Sequence, residues 1–125
     1  MILKRNVEKF YQHGLPLTSE QWIVLVHLWS QDGITQQTLS DLMHKDKSST
    51  ARLIRDLESQ ELLCRATGDK DAREKTVHLT EKGKIVMKQA TGLVHQVLET
   101  SYTGIDAEEL TICRNVLRQA YKNLQ

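Results

Sequence analysis

The division between apolar and polar positions is sharpest between Lys47 and Gln60. Stepping about 100° per residue from Thr50 places Thr50, Leu53, Ile54 and Leu57 on one side of a helix and Ser48, Arg52, Arg55 and Ser59 opposite, with Ser49 and Ala51 on the flanks. One face is built for burial and the other for water or a polar partner. Asp46 stands where an N-cap belongs, because its carboxylate can accept from an unpaired first-turn amide at the positive end of the helix dipole. Beyond this helix the period changes. Leu62–Thr67 and Lys75–Leu79 read as strands, with Val77 and Leu79 on one face of the second. A polar loop over Gly68–Glu74, carrying Asp69, Lys70, Asp71 and Arg73, joins them.

Start and stop signals define the other elements. Thr18 with Gln21 makes a capping box and Leu17 with Trp22 a hydrophobic staple, predicting a helix over Ser19–Ser30. Gly33 supplies a left-handed residue after its last turn. Thr35, with Ile34 and Leu39 as staple, opens a short helix over Gln36–Met43, and His44 and Lys45 form a tight link to the helix at Lys47. Downstream, the stretch from Glu81 to about Ser101 is apolar over a wide arc through Val86, Met87, Ala90, Leu93, Val94, Val97 and Leu98. Asp106 with Glu109 reads as another capping box and Ile105 with Leu110 as another staple. Leu110, Cys113, Leu117, Ala120 and Leu124 then recur at alternating three- and four-residue spacing.

The predicted fold is mostly α with a small β-hairpin wing. It is a winged helix-turn-helix over about residues 17–83, flanked by dimerisation helices at about 2–13 and 81–124, in one domain spanning 1–125. The two C-terminal helices carry more apolar surface than a domain of this size can cover. Pairing with a second copy is therefore expected, with Leu110, Cys113, Leu117, Ala120 and Leu124 at the interface. A short N-terminal helix bearing Val7, Phe10 and Tyr11 would cover part of that surface in any case.

A helix tip of small hydroxyls and arginines fits the major groove of double-stranded DNA, where arginine pairs with guanine, serine bonds either partner and the Ala51 methyl can touch thymine. Two exposed arginines alone would read as a solvated face. The adjoining hairpin changes the reading, since a basic residue at its tip can reach phosphates or the neighbouring minor groove. Candidate contacts are Arg52 and Arg73, then Ser48, Ser49, Thr50 and Arg55, with Lys45, Lys47, Lys70 and Lys75 on phosphates. Thr50 also falls toward the core by periodicity. A twofold homodimer presenting two such helices about one DNA turn apart predicts a palindromic operator. The formal net charge is only +1, yet His44–Lys88 holds 11 basic residues against 8 acidic ones, so non-specific affinity should be modest and salt-dependent.

The order and spacing of Leu17-Thr18-Ser19-Glu20-Gln21-Trp22, Thr38-Leu39-Ser40-Asp41-Leu42, the run from Asp46 to Glu58, Asp71-Ala72-Arg73 and Leu79-Thr80-Glu81-Lys82-Gly83 resembles the MarR family of bacterial transcriptional regulators. The resemblance covers Leu17–Gly83 in motif and continues to the C-terminus in helical layout. It implies that Ser48, Ser49, Thr50 and Arg52 approach bases or phosphates and that Arg73, braced by Asp71, enters the minor groove. It further implies that a small aromatic acid or phenol binds between the winged domain and the dimer helices, respaces the recognition helices and releases DNA, as in a repressor. Here that crevice would draw on Phe10, His13, Trp22, Val26 and Trp29, each with an ordinary alternative role in the core. Two departures stand out. Glu61 replaces the glycine that usually ends the recognition helix, and the segment before Leu17 is shorter than is typical.

Other chemistry finds little support. Met1 begins a mixed segment and no apolar run approaches roughly 18 residues, so a cytoplasmic protein with no membrane segment is expected. Cys64 and Cys113 read as small buried hydrophobes, although Cys113 could meet its symmetry mate. The five histidines show no i, i+4 pair and no HExxH, so no metal is expected. With no phosphate loop, GxSxG or cofactor fingerprint, neither enzymatic activity nor a cofactor is expected. The alternative is a winged-helix protein-interaction module without specific DNA binding. Such a module would carry apolar anchors where Ser48, Ser49, Arg52 and Arg55 stand.

Overall fold

The computed structural model describes residues 1–67 and 73–125. The chain runs through α1 (Ile2–Gln12), α2 (Ser19–Ser30), a short strand β1 (Ile34–Thr35), α3 (Gln36–Met43), α4 (Lys47–Ser59), strands β2 (Leu63–Thr67) and β3 (Lys75–Leu79), α5 (Glu81–Ser101) and α6 (Ala107–Asn123). This is the winged helix-turn-helix with flanking helices that the pattern predicts.

Most helix starts use the side chains expected of them. Thr18 and Gln21 exchange side-chain and backbone hydrogen bonds as a full capping box. The Ser49 N–H donates to Asp46 Oδ1 at 2.6 Å, and the Thr38 N–H to Thr35 Oγ1 at 3.0 Å. Asp106 departs from expectation, accepting from the Glu108 N–H instead of forming a box with Glu109. Gly33 departs too. The α2 helix ends on Gln31 in an extended conformation, and Gly33 (φ 74°) instead turns the chain into β1 while its N–H donates to the Val77 carbonyl at 3.0 Å.

That turn matters because β1 pairs with β3, Ile34 opposite Val77 and Thr35 opposite Thr76, giving an antiparallel sheet in the order β1–β3–β2. Two residues are too few for alternation to show, so the sequence pattern did not reveal this strand. Through it the helix-turn-helix and the wing share one sheet. Behind the sheet, Leu25, Leu28, Leu39, Ile54, Leu57 and Val77 are fully buried, and Phe10 from α1 and Ala90 from α5 close the core. The inner face read for α4 is buried at all four positions.

The end of α4 is fastened to the start of α5. Glu61 adopts a left-handed conformation (φ 63°) that glycine would hold without strain. Its N–H donates to Glu58 O at 2.8 Å and the Leu62 N–H to Leu57 O at 3.0 Å, closing the helix as a Schellman motif. Across the gap, the Thr80 hydroxyl donates to the Glu61 carbonyl (2.6 Å) and Lys82 Nζ to the Gln60 carbonyl (3.0 Å). Gly83 sits so close to the Leu62 carbonyl oxygen that any side chain there would collide with it.

The α6 helix stands apart. None of its residues is buried, and Ile112, Val116, Leu117, Tyr121 and Leu124 are 61% to 89% exposed. Of the expected seam, Leu110 is half-buried while Cys113, Leu117, Ala120 and Leu124 lie open. Ile112, Val116 and Tyr121 broaden the apolar face beyond that seam. Cys64 and Cys113 are both exposed, against the expectation of burial. Among the described residues no helix is long and apolar enough to cross a membrane.

Candidate DNA interface

The outward face of α4 carries the groups read from its periodicity. Lys47, Ser48, Arg52 and Arg55 are exposed, with Ser49 and Ala51 half-buried at the flanks. Asp46 fixes where this face begins. Its carboxyl is held below the usual carboxylate range, first by the Ser49 backbone N–H, then by the Ser49 side chain, with help from the nearby Lys45 charge. A capped start leaves the small hydroxyls at an accessible tip.

Thr50 must be corrected. Its side chain is fully buried and its hydroxyl donates to the Asp46 carbonyl at 3.0 Å, so it secures the first turn from inside and cannot meet DNA. The heptad-like spacing with Leu53, Ile54 and Leu57 already pointed that way. Lys45 is also committed, pairing with Glu20 at 2.9 Å and tying the α3–α4 link to α2. The link itself turns on His44, whose left-handed conformation (φ 52°) ends α3. A non-glycine residue there gave no signal in the sequence.

On the wing, Arg73 and Lys75 are exposed beside β3. Lys70, proposed for phosphate contact, lies outside the described residues together with Gly68, Asp69, Asp71 and Ala72. A cleft of about 340 Å³ opens between α3, the start of α4 and the wing, lined among others by Lys47, Arg65, Arg73 and Lys75. It gathers three of the expected cations and adds Arg65, which the sequence reading passed over. The wing is held from behind by Asp32. One carboxylate oxygen accepts from the Leu79 N–H (2.8 Å) and the other lies 3.3 Å from His78 Nδ1, while His78 Nε2 meets Thr76 Oγ1 at 2.9 Å.

Of the residues expected around a ligand crevice, Phe10 and Trp22 are in ring contact. Phe10 is wholly buried, its ring tilted against Trp22 with centroids 5.7 Å apart, so it is a core residue and not a lining one. Trp22 is half-buried, whereas His13, Val26 and Trp29 are exposed. The described clefts are lined by other residues. Among the described residues, no group of three His, Cys, Asp or Glu side chains is arranged to hold a metal ion.

Comparison with known proteins places this geometry. A profile of the MarR family matches residues 17–75, from the first cap to the second wing strand. A MarR transcriptional regulator from Methanosarcina mazei superimposes with a TM-score of 0.85 at 30% identity, over 97% of this chain and 86% of that one. A MepR variant from Staphylococcus aureus, solved bound to an oligodeoxyribonucleotide, matches with a TM-score of 0.71 at 25% identity over 99% of this chain and 90% of that one. The HTH-type transcriptional regulator YybA of Bacillus subtilis is 28% identical over 111 residues, 89% of this chain and 74% of its own length. The capped helix-turn-helix, the sheet-anchored wing and these likenesses agree: the chain belongs to the MarR family of transcriptional regulators, and its winged helix is a DNA-binding one.

Proposed function

We propose that the protein acts as a homodimeric repressor that reads a palindromic operator, with Arg52 on bases in the major groove and Arg73 beside it at the wing. The observation that carries this reading is the placement of Ser48, Arg52 and Arg55 on the exposed face of α4, directly opposite its buried side, with the basic cleft alongside. Ser49 at the flank, Lys47 and Lys75 in the cleft and Lys70 on the wing loop serve the backbone in this scheme. A compact cluster of donors beside a groove-sized helix suits the combination of base reading and phosphate anchoring. The likeness to the MepR variant solved bound to an oligodeoxyribonucleotide supports use on DNA.

The dimer is supported by the unburied apolar face of α6, which water alone would leave at high cost. Release by a small aromatic ligand is supported by one side of α2, where half-buried Trp22 and exposed Val26 and Trp29 lie one and two turns apart. A role on bacterial DNA is one carried out in the cytoplasm, and that location belongs to the same reading.

Arg52→Ala tests the base-reading role. Against a duplex that the wild type selects from a randomised library, the loss should be about 1–3 kcal/mol, with little change on a scrambled duplex. Equal losses on both would refute that role.

A further inference from the structure

Arg65 lies on β2 opposite Val77, on the sheet face that also bears the buried Leu63 and Leu79. From this inward register its guanidinium reaches two different helices. Nε stands 2.8 Å from Glu58 Oε1 on α4, and Nη1 donates to Gln36 Oε1 on α3 at 3.4 Å. The Glu58 Oε1 atom is sealed from solvent and has no well-aligned hydrogen bond, so its contact with Arg65 is an ion pair. Glu58 also occupies the last turn of α4, where the negative end of the helix dipole makes a carboxylate unfavourable. A nearby cation offsets the dipole there, and Arg65 supplies it to the one carboxylate oxygen that water does not reach.

We propose that Arg65 is a positioning residue for DNA recognition, fixing the angle between α4 and the wing through Glu58 and Gln36 rather than contacting phosphate itself. Covalently, α4 meets β2 through the Gln60–Leu62 turn, which the Schellman bonds shape, and both elements pack on one core. The Arg65 bridge adds a polar attachment one strand residue beyond Cys64, on the side of α4 that faces the wing and α3. Arg52 and Arg73 sit on the two parts so joined. Because both must be met by one duplex, angular slack between them lowers the effective concentration of the second contact once the first is made. A positioning role and a phosphate contact differ in one observable. Loss of a phosphate-contacting arginine weakens all sequences and lowers the slope of log affinity against log salt by about 0.9, whereas loss of a positioning residue does neither.

The proposal rests on the joint use of α4 and the wing on DNA. The experiment uses a duplex selected by the wild type from a randomised library and a scrambled duplex, at several salt concentrations, with Arg65→Ala, Glu58→Gln, both together, and the exchanged pair Arg65→Glu with Glu58→Arg. Each single change should weaken the selected duplex roughly tenfold, the scale of coupling between charged groups in contact. The scrambled duplex and the salt slope should stay as in the wild type, the double variant should be no worse than either single one, and the exchanged pair should recover most of the loss. A drop in salt slope with equal weakening of both duplexes would overturn the positioning role, as would unchanged affinity in Arg65→Ala. Failure of the wild type to select any duplex would overturn the DNA reading and this proposal together. Glu58→Gln keeps the side chain's size, so its effect separates lost charge from lost folding.

Discussion

At the scale of single residues, the chain keeps a side chain in several places where backbone geometry would favour none. Glu61 is the sharpest, left-handed at the Schellman position with an exposed carboxylate 3.6 Å from Lys82. An exposed ion pair contributes little, so the conformational cost dominates. Glu61→Gly should raise stability by about 0.5–1 kcal/mol, relief of the left-handed strain less the added freedom of glycine when unfolded. Chemical denaturation checks this, and a lower midpoint would show that the Lys82 contact outweighs the strain. The departure of Glu61 from glycine was readable in the sequence, and so was the duty of Asp46. Thr50 was legible as well, since its periodicity matched its burial while its family role did not. His44 and Arg65 were not, because one depends on a conformation that any residue can be forced into and the other on a strand register that carries it to two helices earlier in the chain.

At the scale of elements, caps decide where the recognition surface begins. The Asp46 carboxyl ionises more readily in the folded chain than in the unfolded one, held down by the Ser49 amide. A depressed folded value means that its contribution is fully present above the unfolded value and is lost as pH falls through the folded one. Asp46→Asn keeps a capping oxygen without the titration. The difference in Tm between wild type and Asp46→Asn should therefore favour wild type at about pH 6 and shrink as pH falls below the ordinary carboxylate value. A difference independent of pH would show that the charge plays no part. The α2, α3, α4 and α6 helices were legible because start signals and a sustained period agree with each other, and α5 was legible from its apolar arc alone. The β1 strand was missed for the opposite reason, being two residues defined only by pairing with β3. Asp32 acquires its role the same way, reaching Leu79 and His78 across a separation of nearly fifty positions that no local pattern carries.

At the scale of the molecule, the chain divides into a well-packed winged body and a C-terminal helix with an open apolar face. The body explains how α4 and the wing are aimed, through the shared sheet, the α4–α5 fastening and the Asp32 brace. In the proposed dimer the open face of α6 meets a second copy, and the pair would face the two half-sites of an operator. The sequence could announce this amphipathic seam but not its breadth, since Ile112 and Val116 fall outside the three- and four-residue spacing and show their role only when the helix is seen unburied. The measurement that bears most directly on the whole account is a stoichiometric anisotropy titration of the full chain on its selected duplex and on a scrambled one, at two salt concentrations. The account predicts saturation at two chains per selected duplex, with salt-sensitive binding that clearly prefers it to the scrambled sequence. Saturation at one chain, or equal affinity for both duplexes, would contradict it.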